Sequence, residues 1–552
     1  MNAADRSDLW WRTAVIYCLD IETFFDSDGD GVGDIVGLTQ RIDYLAELGV
    51  SCLWLMPFQP TRDLDDGYDI TDFYSVDPRL GNLGELVELL RVAHDRGIRV
   101  IVDLVVNHTS DRHPWFRSAR RSRDSKHRDY YIWRDTRPRG SRNTVFPGEE
   151  TSTWEHDPKT GQYYLHSFYR HQPDLNLANP QVREEIARIV GFWMAMGVDG
   201  FRLDAVPFLI APPGAANEAD PHSFLRELHR FVMRRQGEAA LLGEVGLAHD
   251  AQLDYFGTKG TELDLQFDFA TAEAVFLSFV RHDARPLADV LRARPIVDAS
   301  QGWAMFLRNH DELTLELLEE DERQEVFTAL APDERQRVYG RGIVRRLAPM
   351  LHGDPRRLRM AYSLLFSLPG APMLFYGEEI GMGELPALGD RAAVRTPMQW
   401  ENTKNGGFST ARPSKLPRSI PEDGYGPAHA NAHDQLRDPD SLLATIRLLI
   451  SRYRANPEIA WGEVSLIDTG DPKVLAHMAV TDEATFIAVH NFGEDACGIE
   501  LALPSTSEDG ELIDLLHEDS TTTPERGKVR LELEGYAYRW YRLVAPAAPA
   551  LS

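Results

Sequence analysis

The sequence predicts an α/β fold: a (β/α)8 TIM barrel with a small domain inserted after its third strand and a C-terminal β-sandwich. Three observations predict it. Short, continuous apolar runs alternate with amphipathic stretches along most of the chain. Such strands, alternating with helices, require a parallel sheet covered on both faces. Polar residues fall just after those runs, where a barrel assembles its site. From about Trp461 onward the runs turn into alternating β-type segments separated by turn residues, the pattern of a sandwich.

Val15-Ile16-Tyr17 reads as the first strand. Asp26 to Asp34 follows, with aspartates at alternating positions and glycines between them. Such a loop wraps a hard cation in oxygen ligands, like the first part of an EF-hand loop without its closing Glu. Asp26, Asp28, Asp30, Val32 and Asp34 are the candidate ligands, for Ca2+ with Mg2+ as the alternative. The competing reading is an acidic, solvated turn. Thr39–Leu48 is amphipathic, Val50–Met56 a strand, Leu83–Arg96 a helix, and Arg99–Val106 a strand running into Asn107-His108. Residues 108–178, rich in Arg, Asp, Trp and Tyr, interrupt the alternation as the inserted domain. Gln181–Met196 is a helix, and Gly197-Val198-Asp199 turns into the strand Gly200–Leu203. Further strands are expected at Ala240–Gly243, Leu265–Phe269, Trp303–Leu307 and Met373–Tyr376. The expected domains are a barrel over 1–107 and 179–455, the insertion over 108–178, and the sandwich over 456–552. Sandwich strands are expected at Val474–Val480, Thr485–Asn491, Ile499–Leu503, Leu512–Leu516, Val529–Leu533 and Tyr536–Leu543. A frayed tail is expected from Ala545 to Ser552.

Side chains two apart on a strand share a face, so Arg202 and Asp204 should meet. The cation would keep the carboxylate ionised, as a nucleophile requires. An isolated R-x-D is more often a structural pair, and an isolated Asn-His-Asp often a turn. Here four strand ends line up: Asp103 with Asn107-His108, Arg202 with Asp204, Gly243-Glu244-Val245-Gly246, and Asn309-His310-Asp311-Glu312. Asp204, Glu244 and Asp311 would converge. Glycosidic cleavage with retention needs two carboxyl groups roughly 5–5.5 Å apart, one of them protonated near neutrality.

These motifs, DLVVNH, GFRLDA, the Glu after a strand and NHD, in this order, resemble the signature regions of the α-amylase family (glycoside hydrolase family 13). Gln172–Asn176 (QPDLN) resembles its fifth region. The resemblance implies Asp204 as nucleophile, Glu244 as general acid/base and Asp311 as the third carboxylate. It implies His108, Arg202 and His310 as ligands of the same glucose, with Tyr68 its stacking platform and Asp69 a hydroxyl acceptor. Arg395 would pair with Asp69 and close the pocket, and a closed pocket favours exo-action. Asn107 and Asp174 would hold a second cation. Stretches such as DDGYDI, NHTSDRHPWF, FLRNHDELTLE and VRTPMQW resemble the trehalose synthase (maltose α-D-glucosyltransferase) branch over nearly the whole chain. The same resemblance implies that Ala205, after the nucleophile, suits an α-1,4 or α-1,1 linkage better than the Val expected of α-1,6-specific relatives. The expected reaction is interconversion of maltose and trehalose through a glucosyl-enzyme, with the freed glucose kept inside the pocket; the alternative is an exo-acting, hydrolytic α-glucosidase on short α-glucosides.

The sequence departs from that branch on the acceptor side. Gly246 stands where the branch carries Asn, the 208–217 loop is shorter and less polar, and the stretch around Arg139–Thr144 is trimmed. A non-catalytic scaffold of the same family would lack one of the three carboxylates or carry a transmembrane helix; neither holds in this sequence.

The 552 residues exceed one ordinary core. A net charge of −27 argues against nucleic acid and anionic membranes as partners. Three distant cysteines, Cys18, Cys52 and Cys497, make no disulfide framework, which fits a reducing cytoplasm. No signal peptide and no organic cofactor are expected. Small α-glucosides are the expected partners, with a homo-oligomer possible by analogy with relatives.

Overall fold

The computed structural model describes residues 9–138, 144–210, 220–422, 424–503, 510–517 and 520–544. Eight strands close into one parallel barrel: β1 (Ile16–Leu19), β2 (Cys52–Leu55), β3 (Arg99–Leu104), β4 (Gly200–Leu203), β5 (Ala240–Gly243), β6 (Leu265–Phe267), β7 (Gly302–Phe306) and β8 (Ala371–Phe375). Each pairs with its neighbour in sequence, and β1 closes on β8 with Tyr17 opposite Leu374. All eight expected strands are present. The third stops at Leu104, two residues short of the expected end, because Val105–His108 already leads into the insertion.

The helices outside explain the apolar strands. Leu83–Asp95 starts on a reciprocal cap between Asn82 and Glu85 and buries Leu86, Leu89, Leu90 and Ala93. Pro180–Met196 starts on the Asn179 side chain and ends at Gly197 with φ 109°. That left-handed glycine turns the chain directly toward β4. Gly200, which opens β4, has no room for a side chain: a Cβ there would lie 2.3 Å from the Ala240 carbonyl oxygen.

Register sets the chemistry. Asp103 lies opposite Arg202, and Leu203 opposite Gly243. The residues that follow, Asp204 and Glu244, therefore leave the barrel side by side. In the insertion, Trp133–Arg134, Trp154–Asp157 and Gln162–Leu165 form a small antiparallel sheet around Ile132, Trp154 and Leu165. Beyond Trp461 come a six-stranded and a two-stranded antiparallel sheet. The segments Glu463–Ile467 and Thr521–Thr522 add strands not expected from the sequence. The expected tail, 545–552, lies outside the described residues. Ile487 and Val489 face the second sheet, whereas Phe486 and Ala488 face the barrel's core, so this sheet is covered on both sides. Among the described residues, no helix is long and apolar enough to cross a membrane.

Candidate active site

Arg202 is the hub at the C-terminal end of the barrel. Its Nη1 lies 2.6 Å from Asp103 Oδ1 and 2.7 Å from Asp204 Oδ1, and its Nη2 lies 2.8 Å from Glu244 Oε2. Asp103 is fixed in turn by Trp54 Nε1 at 2.8 Å. One forked cation thus holds three carboxylates, two of them buried and Glu244 partly exposed to the cavity, which a point-charge ammonium could not do with the same geometry. Burial pushes Asp204 up to about 6, although Arg202 opposes it. Burial raises Glu244 too, against Arg202 and with the help of Asp204 and Asp311. Asp311 goes the other way. Burial would raise it, but His310, Arg391 and Arg395 hold it well below the ordinary carboxylate range. Its Oδ1 meets Arg391 at 2.9 Å and Arg395 at 2.8 Å, and its Oδ2 meets His310 Nε2 at 2.9 Å.

Asp204, Glu244 and Asp311 line a cavity of about 450 Å³ together with Tyr68 and His108. Arg202, His310 and Arg395 are buried behind its wall. The Tyr68 ring stacks on His310 with centroids 5.6 Å apart and its hydroxyl lies 2.7 Å from His310 Nε2. His108 Nε2 donates to the Tyr68 carbonyl at 3.0 Å, and burial lowers its pKa to about 4, so it is neutral. Phe146 and Phe168 from the insertion and Phe208 after β4 complete the wall. The Trp and Tyr residues of the insertion are mostly core: Trp154, Tyr131 and Tyr164 are buried.

Asp69 is not where the sequence reading put it. Its carboxylate accepts from Thr61 Oγ1 at 2.6 Å, from the Leu64 amide at 3.1 Å and from Ser110 Oγ at 3.3 Å, holding the loop in shape. The partner of Arg395 is Asp66, which Arg418 clasps from its other side, and the two cations hold Asp66 at about 2 against the upward push of burial. Arg391, not singled out from the sequence, pairs with Asp65 at 2.6 Å and reaches the cavity wall with it. The doublet Asp65-Asp66 and the four-residue spacing of Arg391 and Arg395 were the available signals.

In the first acidic loop, ligand atoms of Asp26, Asp28 and Asp34 lie within 4.8 Å of one another. Asp26 is buried and already accepts the Gly29 and Gly31 amides at 2.7 and 2.9 Å. Three converging carboxylates suit a hard cation. Asp30 stands apart from that group, and its carboxylate accepts the Val32 amide at 2.8 Å. Asn107 and Asp174 do meet, but through a hydrogen bond of 3.3 Å from the Asn amide to the Asp carboxylate, which Ser167 also caps. That arrangement offers a donor rather than two converging oxygens, and burial lifts Asp174 to about 7. Gly246 lines the cavity, and among the described residues a Cβ built on it meets nothing within 4 Å. The 211–217 part of the loop after β4, and 139–143 of the insertion, lie outside the described residues.

Comparison with known proteins agrees with this geometry. Residues 19–331 and 343–462 match the alpha amylase catalytic domain, and 484–542 match the sucrose hydrolase-like C-terminal domain. The trehalose synthase/amylase of Mycobacterium tuberculosis (strain ATCC 25618 / H37Rv) is 39% identical over 97% of this chain and 90% of its own. The oligo-1,6-glucosidase of Parageobacillus thermoglucosidasius is 31% identical over 88% of this chain and 91% of its own. Among solved structures, the trehalulose synthase MutB of Pseudomonas mesoacidophila MX-45 superposes with a TM-score of 0.77 at 28% identity, covering 97% of this chain and 99% of that one. By barrel, carboxylate constellation and sequence, the chain belongs to the α-amylase family, glycoside hydrolase family 13, and is a trehalose synthase-like enzyme.

Proposed function

We propose that the enzyme interconverts maltose and trehalose by intramolecular transfer of a glucosyl group. The observation that carries this reading is the meeting of Asp204 and Glu244 on Arg202, with Asp311 lining the same cavity, in a chain so similar to trehalose synthases. Two carboxylates on the two nitrogens of one guanidinium support the short spacing of roughly 5–5.5 Å that retention requires. Glu244, whose pKa burial raises, gives its proton to the glycosidic oxygen as that bond breaks. Asp204 attacks the anomeric carbon and forms the glucosyl-enzyme. Glu244 then takes the proton from the anomeric hydroxyl of the retained glucose, whose oxygen displaces Asp204. Asp311, kept ionised, grips the hydroxyls of the donor sugar, with His108 and Tyr68 lining the same pocket. Arg391 and Asp65 close the far end, which favours a single terminal glucose.

A hydrolytic reading has one specific observation in its favour. Among the described residues nothing fills the space beside Gly246, and water there would intercept the glucosyl-enzyme. A proton NMR time course on maltose, and separately on trehalose, tests both. Interconversion with little free glucose supports transfer; α-glucose as the first and dominant product overturns it in favour of hydrolysis.

The Asp26–Asp28–Asp34 cluster is proposed as a structural Ca2+ site, with Mg2+ the competing ion.

A further inference from the structure

The residue after the proposed nucleophile stands in an unusual backbone conformation. Ala205 has φ 49°. Left-handed backbone crowds Cβ against the following carbonyl, so L-residues other than Asn and Asp adopt it rarely. The consequence is visible in the hydrogen bonds. The Ala205 amide donates to Glu244 Oε2 at 2.9 Å, and the next amide, of Val206, donates to the Glu244 carbonyl at 3.1 Å. Oε2 also takes Arg202 Nη2 at 2.8 Å. Among the described residues, no donor reaches Oε1, and Glu244 lines the cavity. With the chain ends held, a negative φ here requires the Asp204–Ala205 peptide plane to flip, which turns the amide away from Oε2.

We propose that Ala205 is a positioning residue: its left-handed backbone delivers an amide to Oε2 of Glu244 and so assigns the transferable proton to Oε1. The inference rests on Glu244 as the acid/base of the reading above. The amide hydrogen bond favours the ionised form of Glu244, opposing the push of burial. The other charged groups facing Glu244 are Arg202, Asp204 and Asp311, with Asp103 behind Arg202, and none changes in the variants below.

The test separates backbone conformation from side-chain size. Asn and Val are similar in bulk, but Asn tolerates left-handed backbone and Val does not. Ala205→Asn, Ala205→Gly and Ala205→Val are compared by the titration of the Glu244 carboxyl, followed by carbon-13 NMR and assigned by the signal missing from Glu244→Gln. The basic limb of kcat/KM on maltose is read in parallel. Losing the amide removes support for the carboxylate, so Ala205→Val should raise the midpoint and move the basic limb up by ~0.5 pH unit or more. Ala205→Asn and Ala205→Gly should keep both near the parent values. Ala205→Thr serves if Ala205→Val does not fold. An unmoved midpoint in the β-branched variant, or an equal shift in Ala205→Asn, overturns the inference. If the parent enzyme leaves maltose untouched while the NMR midpoints behave as expected, the proposed reaction fails and the positioning role stands.

Discussion

The two sides of the carboxylate cluster differ in how completely they are held. On the Asp204 side, Asp103, Arg202, Tyr68, His310 and Asp311 form one continuous network of buried contacts between 2.6 and 3.4 Å. On the Gly246 side, a Cβ would meet no neighbour within 4 Å among the described residues. On the proposed reading, forming the glucosyl-enzyme draws on this buried network, while the fate of the glucosyl group turns on the contacts made beside Gly246. Rigid, preorganised charge is where transition-state stabilisation is greatest.

The comparison is broken most severely by removing its centre. Asp204→Ala and Glu244→Gln should each lower turnover by ~10⁴-fold or more while the chain still folds, checked by steady-state kinetics and circular dichroism. Near-parental activity in either variant would remove the proposed roles.

Arg202→Lys sharpens the same point. It keeps a cation but loses the fork shared by Asp204 and Glu244, so kcat/KM should fall by ~100-fold or more. It should also move the acid limb. With Asp204 raised to about 6, parental activity should drop below about pH 6 as the nucleophile takes up a proton. Arg202 holds that pKa down, so weakening it shifts the limb to higher pH. A pH–rate profile of both proteins decides; an unmoved limb would mean that Asp204 is not the group titrating.

Gly246→Asn works on the open side and should have a smaller effect. It adds an amide where there is room, and should shift the ratio of transfer to hydrolysis a few-fold towards transfer, with total turnover little changed. The anomeric signals in NMR give the ratio directly. A fall in total turnover without a change of ratio would place Gly246 in the donor half instead.

The smallest effect is expected far from both sides. Removing the cation with a chelator should lower the melting temperature by a few degrees, about what 1–3 kcal/mol of binding energy gives in a chain of this size. Calcium should restore it better than magnesium, as read by differential scanning fluorimetry. No change on chelation would make the acidic loop a solvated turn.

Much of the site was legible because it sits on strands. Period-two alternation placed Arg202 and Asp204 on one face, and the structure joins them at 2.7 Å. Asp69 was misplaced because it sits in a turn. Asp66 has φ 45° and Gly67 φ 91°, and through such backbone the side-chain directions follow no period. Asp65 and Asp66 therefore reach the arginines, while Asp69 turns back into its own loop. Phe146 and Phe168 were equally hidden, since nothing in an irregular insertion tells a wall residue from a core residue before it is folded.

By itself the sequence determined the order of apolar runs, and with it the barrel, because a run without polar interruptions can be satisfied only by a sheet buried on both faces. It also determined which charged groups stand at the strand ends. Tertiary structure alone decided which of them meet. Asp103 faces Arg202 because β3 and β4 pair in one register, and Asp311 takes two arginines because separate loops fold over the same end of the barrel. Contacts between residues far apart in sequence are set by strand register and loop closure, which a one-dimensional pattern does not contain.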